Sequence, residues 1–116
     1  MNIDFHVHAA LSKELPFDFN LFQSTIEAAR EAGIHTLALT DHSDSANLPR
    51  VWHTLDREFP YLEPHYLADG VRLLPGLEVK VAGGPHLLAI GDRDTIRAYQ
   101  QRLSRSTNGS GPCPAG

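Results

Sequence analysis

Seven histidines are spread along the 116-residue chain, and four of them, His6, His8, His42 and His86, are candidate metal ligands. His6 and His8 are separated by one residue, so on a strand both project from one face and can reach the same ion. Imidazole nitrogens and carboxylate oxygens are the usual ligands of zinc, manganese and iron. The pair alone says little, because two exposed or hydrogen-bonded strand histidines look the same in sequence. Three further groups add to it. Asp41 and His42 follow the apolar run 34–40, Glu78 interrupts the apolar stretch 71–81, and His86 opens the run 86–91 after Gly83-Gly84-Pro85. A carboxylate within an apolar strand is costly unless it is paired, hydrogen-bonded or bound to a cation. Taken jointly, these residues point to a metal site rather than to scattered polar positions.

The elements that would position them can be read from periodicity. Residues 2–8 alternate apolar Ile3, Phe5 and Val7 with polar Asp4, His6 and His8, the two-residue period of a strand. Asp18 or Asn20 can cap a helix carrying Leu21, Phe22, Ile26 and Ala29, closed by Gly33. The segment 34–40 reads as a strand buried on both faces, and the order strand, helix, strand predicts a parallel sheet. Leu48, Val51, Trp52, Leu55 and Phe59 lie at helical spacing, after which Pro60 and Pro64 imply an irregular connector. Residues 71–81 read as a strand broken at Pro75-Gly76, and 86–91 as another strand. Asp92 or Asp94 can cap a last helix through Leu103. Residues 104–116, rich in Ser, Gly and Pro, read as a tail, leaving 1–103 as one domain. Trp52 and Phe59 are expected in the core, and His35, His53 and His65 at ordinary surface or hydrogen-bonded positions.

Bulk properties narrow the function classes. The formal charge of −4 and pI near 5.9 argue against a generic phosphate-backbone binder, although a metal site could still accept a nucleic-acid phosphate. No apolar run reaches the roughly 20 residues that span a bilayer, and no export leader is evident, so a cytoplasmic location and no membrane partner are expected. Cys113 is the lone cysteine, which excludes an internal disulfide and a cysteine zinc site.

Together, Asp4-x-His6-x-His8, Leu39-Thr40-Asp41-His42, Pro75-Gly76-x-Glu78 and Gly83-Gly84-Pro85-His86 resemble the first half of the polymerase and histidinol phosphatase (PHP) superfamily, over about residues 2 to 91. The stretch 11–18 is similar to a microbial subgroup of stand-alone metal-dependent phosphoesterases. The resemblance implies an α/β fold, a distorted (β/α)7 TIM-like barrel of which this chain would form about the first four strands. It also implies two or three ions of zinc, manganese or iron. His6 and His8 would bind one ion, Glu78 would bridge two, His42 would bind the second and His86 the third, while Asp41 would orient an imidazole or a water. Glu14 is the one acid close behind the His6-His8 pair. The family's late histidine and Asp-x-His motif have no counterpart up to Gly116.

On this reading Asp41, His42 and Glu78 serve catalysis. A metal-activated water attacks the phosphorus of a small phosphorylated or nucleotide-like substrate. Two rivals remain. One is a truncated metal-binding module without turnover. The other is an amidohydrolase-type barrel, which also opens with His-x-His but expects a metal-bridging lysine, for which Lys80 is the single candidate beyond Lys13.

Overall fold

The structure, a computed structural model, describes residues 2–10 and 16–107. Strand β1 (Asn2–Val7) runs parallel to β2 (Ile34–Leu39), with Val7 opposite Leu39, and helix α1 (Phe19–Glu31) makes the crossover. The expected N-cap is Asp18, whose side chain accepts a hydrogen bond from the Leu21 amide at 3.2 Å. Phe22, Ile26 and Ala29 bury one face of α1, the i, i+4, i+7 stripe of an amphipathic helix. Gly33 takes the left-handed conformation beyond the C-cap, at φ 82°. In β2, Leu37, Ala38 and Leu39 are all buried, as a strand covered on both faces requires.

Helix α2 (Leu48–Glu58) buries Leu48, Val51 and Leu55, and the chain turns at Phe59 and Pro60. The segment beyond is not an irregular connector. It forms a hairpin of β3 (Tyr61–Leu62) and β4 (His65–Ala68), which leads into β5 (Val71–Lys80). Strand β5 is continuous through Pro75-Gly76 rather than broken there. Its first half lies between β2, parallel, and β4, antiparallel, whereas its second half pairs antiparallel with β6 (His86–Ile90). Pro75-Gly76 is thus the point where β5 changes partners. Gly76 permits it: a Cβ there would stand 2.6 Å from the Ala89 carbonyl oxygen and 2.9 Å from Thr40 Cγ2, closer than real contacts allow.

These pairings overturn the expectation of a (β/α)7 TIM-like barrel arc. Among the described residues, six strands form one mixed sheet in the order β1-β2-β5-β4-β3, with β6 on β5, and the sheet does not close. The alternation of strand and helix stops after α2. The physical reason lies in connection length: 63–64, 69–70 and 81–85 are long enough for antiparallel hairpins but far too short for the helical crossovers that parallel barrel strands demand. Helix α3 (Arg93–Thr107) runs on past Leu103, so the first residues assigned to the tail are helical. No helix among the described residues is long and apolar enough to cross a membrane.

The main core joins α1 and α2 to the sheet through Phe22, Ile26, Val51, Leu55, Tyr66 and Leu73. A second cluster, Leu48, Leu77, Val79 and Ile96, seats α3 against β5, with Trp52 packed against both clusters. A polar clasp holds α3 in place. The Asp56 carboxylate takes Arg93 Nη1 on Oδ1 and Arg97 Nη2 on Oδ2, each at 3.0 Å, and accepts a hydrogen bond from the Tyr66 hydroxyl. Burial and the Asp56 hydrogen bond push the Tyr66 hydroxyl up to about 12, so it remains a donor throughout the neutral range. For Asp56, partial burial raises the carboxyl, but Tyr66 and the two guanidiniums outweigh it and hold it below its ordinary 3.8.

A carboxyl depressed by folding stabilises the fold fully above its unfolded value and loses that contribution as pH falls through the folded value. Asp56→Asn is therefore expected to lower the thermal midpoint near neutral pH, with the gap to the parent chain shrinking as the pH falls below about 4. Melting curves at several pH values check this, and an equal gap at neutral and acid pH would contradict it.

Candidate metal centre

The ends of β1, β2 and β5 and the start of β6 converge on one carboxylate. Glu78, 6% exposed, sits at the eighth position of β5, where its backbone bridges to residue 42 just past β2. The Glu78 amide donates to the Asp41 carbonyl at 2.7 Å, and the Ser43 amide donates to the Glu78 carbonyl at 2.9 Å. These two bonds carry the parallel ladder beyond β2 and set His42 beside Glu78. On the other side of β5, the turn containing Gly83, at φ 68°, brings His86 directly opposite Lys80 in the β5–β6 register.

The four imidazoles divide between the two oxygens of Glu78. Oε1 faces His8 Nε2 at 2.9 Å and His6 Nε2 at 3.4 Å. Oε2 is hydrogen-bonded to His86 Nδ1 and lies 3.9 Å from His42 Nδ1. Ring centroids of His6 and His8 are 5.0 Å apart, and those of His8 and His42 are 4.7 Å apart. One ligand atom from each of His6, His8 and Glu78 can be chosen so that all lie within 4.8 Å of one another. Burial pushes the Glu78 carboxyl up, but hydrogen bonds from His8 and His86, with His42 and His6 nearby, outweigh it and hold it below the usual glutamate range. Glu78 is thus ionised at neutral pH, the state a metal ligand needs.

The chain beneath the rings fixes their aim. His6 Nδ1 lies 2.8 Å from Thr40 Oγ1, so its Nε2 is the nitrogen turned toward Glu78. Thr40 is fully buried, and its amide donates to the Val7 carbonyl at 2.7 Å. Asp41, expected to orient an imidazole or a water, instead places both oxygens on backbone amides, Ala9 at 2.7 Å and Ala10 at 2.9 Å. It acts on the chain just after His8 and so secures that residue's backbone. Burial pushes the Asp41 carboxyl up, and the Ala10 and Ala9 hydrogen bonds and the neighbouring His8 and His42 offset this only in part.

Of the residues expected from sequence, His6, His8, His42, Glu78 and His86 are brought together, with Asp41 behind them. Glu14 lies outside the described residues. His35 and His53 are exposed, and His65 belongs to β4; none of the three joins the cluster. Thr40 belongs to the Leu39-Thr40-Asp41-His42 motif but has no role assigned from sequence, although parallel pairing of β1 with β2 brings the end of the second strand beside the first histidine. Outside the cluster opens a cleft of about 430 Å³, lined by His42, Ser43, Asp44, Glu78, Lys80, Ala82 and His86.

No family model matches the chain, and neither does any curated protein. Among solved structures it is similar to PsfC from Pseudomonas syringae, at 19% identity and a TM-score of 0.73. The match covers 97% of this chain and 53% of PsfC, so the chain spans about half the length of that protein. At this identity the likeness is one of fold.

Removing the hydroxyl that aims His6 tests the arrangement. Thr40→Val keeps the volume and is expected to weaken manganese or zinc binding by about 10- to 100-fold, as loss of an outer partner of a metal-bound histidine does. Titration calorimetry measures it; unchanged affinity in a folded variant would show that Thr40 has no part in positioning the ring.

Proposed function

We propose that the chain is a metal-dependent phosphoesterase, allied through its ligand series to the PHP superfamily, that hydrolyses a phosphomonoester or phosphodiester of a small or nucleotide-like molecule. The observation that carries this reading is the division of Glu78 between two pairs of imidazoles. His6 and His8 share one oxygen and His42 and His86 the other, a donor set suited to two divalent ions joined by one carboxylate. Nitrogen and oxygen donors without thiolate suit zinc, manganese or iron.

Divalent ions held by these residues would supply Lewis acidity and lower the pKa of a coordinated water. The protein's own groups do the rest. Glu78 contributes negative charge and stays ionised, Thr40 keeps His6 in one orientation, and Asp41 holds the backbone of 9 and 10 against the strand ends. The cleft beside His42, Glu78 and His86 gives the phosphoryl group room, and the leaving oxygen departs toward the open mouth, where solvent can protonate it. A cytoplasmic setting belongs to the same reading and suits a chain with a single cysteine.

A second reading, a metal-binding module without turnover, rests on the same set of nitrogen and oxygen donors. The manganese-loaded chain is expected to hydrolyse 4-nitrophenyl phosphate and to lose that activity on chelation. Glu78→Gln should cut the rate by at least about a hundredfold, more than loss of an outer partner costs. Metal content and phosphate release, measured on the same samples, separate the alternatives. Metal without turnover would leave the binding module, no metal would sink both readings, and turnover of a lactam or nucleobase panel in place of phosphoesters would favour an amidohydrolase.

A further inference from the structure

Lys80 is left without a role by the metal centre, and its position gives it one. Side chains two residues apart on a strand share a face, so Lys80 lies on the Glu78 side of β5, about 7 Å further along the strand. It stands directly opposite His86 in the β5–β6 register. Its side chain is exposed yet lines the same cleft as His42, Glu78 and His86, and among the described residues lining that cleft it is the sole lysine or arginine. Among the described residues it forms no ion pair.

A flexible ammonium held at that distance from the bridging carboxylate is displaced from the place where the ions would hold a phosphoryl group. An ammonium donates hydrogen bonds in three directions and accepts none, so its natural partner is an anion on the remainder of the substrate. We infer that Lys80 is the specificity-determining residue of the cleft, selecting phosphoesters that carry a second anionic group, such as a carboxylate, a short distance from the phosphoryl group. This rests on the metal-dependent reading above, with Lys80 acting as a substrate contact rather than a ligand.

Two non-hydrolysable probes differing in one charge test it: methylphosphonate and phosphonoacetate, titrated calorimetrically into the manganese-loaded chain after its metal content is measured. The parent chain is expected to bind phosphonoacetate at least about fivefold more tightly, the scale of one ion pair near a protein surface. Lys80→Gln should bring the two affinities within about twofold by weakening phosphonoacetate alone, while Lys80→Arg keeps the preference because it keeps the charge. Manganese content should be the same in all three proteins. An equal preference in the parent and in Lys80→Gln, with manganese retained, would overturn the inference and leave the metal centre standing. Failure of the parent chain to bind manganese would instead remove the metal-dependent reading, and the inference with it.

Discussion

Burying a carboxylate within an apolar strand costs several kcal/mol unless hydrogen bonds or opposite charge surround it, and Glu78 meets that condition with four imidazoles from three other segments. Those segments can reach it because β1, β2 and β5 run parallel and end at the same side of the sheet. The crossover through α1 brings His6 and His8 alongside β2. The short ladder past β2 brings His42, and the β5–β6 hairpin brings His86. The first segment contributes two rings and the other two contribute one each to the same pair of oxygens, so the site depends on the relative placement of four strands rather than on any one motif.

The core and the centre share a backbone in β5. Leu73, Leu77 and Val79 are buried in the two apolar clusters, while Glu78, between the last two, points to the opposite face. A side chain substituted at Gly76 would meet the Ala89 carbonyl and Thr40, the group that aims His6, and a shift of β5 to accommodate it would also move Glu78. The Asp56 clasp acts from farther away. It fixes α3, which through Ile96 backs Leu77 and Val79, and Gln100 of α3 donates to the Ser43 carbonyl at 3.1 Å. The loop beside His42 is thereby tied to the same helix.

Much of this was legible in the residues, for identifiable reasons. The strand at 2–7, the helix capped by Asp18, the buried strand at 34–39 and the histidines and glutamate of the cluster each carry a local signal, either periodicity, a cap or a polar group in an apolar run. The hairpin β3–β4 carried almost none: two residues in one strand and four in the other are too short for periodicity to register, and the prolines masked them. Pro75-Gly76 suggested a break because proline lacks an amide donor, yet Gly91 donates to the Pro75 carbonyl and β2 pairs along its other side. The barrel expectation failed because a local series of ligands says nothing about the direction of the strands that follow. Direction is set by connection length, and the short turns at 69–70 and 81–85 forced antiparallel pairing. The partner of Asp41 was illegible for a related reason: a carboxylate beside histidines in sequence can spend both oxygens on amides 31 and 32 residues away.

In the proposed function Glu78 joins two cation positions, one on the His6 and His8 side and one on the His42 and His86 side. Anomalous diffraction from a manganese-soaked crystal tests this most directly. Two peaks flanking the Glu78 carboxylate, one within coordination reach of His6 and His8 and the other of His42 and His86, are the predicted result; a map with no anomalous peak at the cluster, and Glu78 still hydrogen-bonded to His8 and His86, would contradict it.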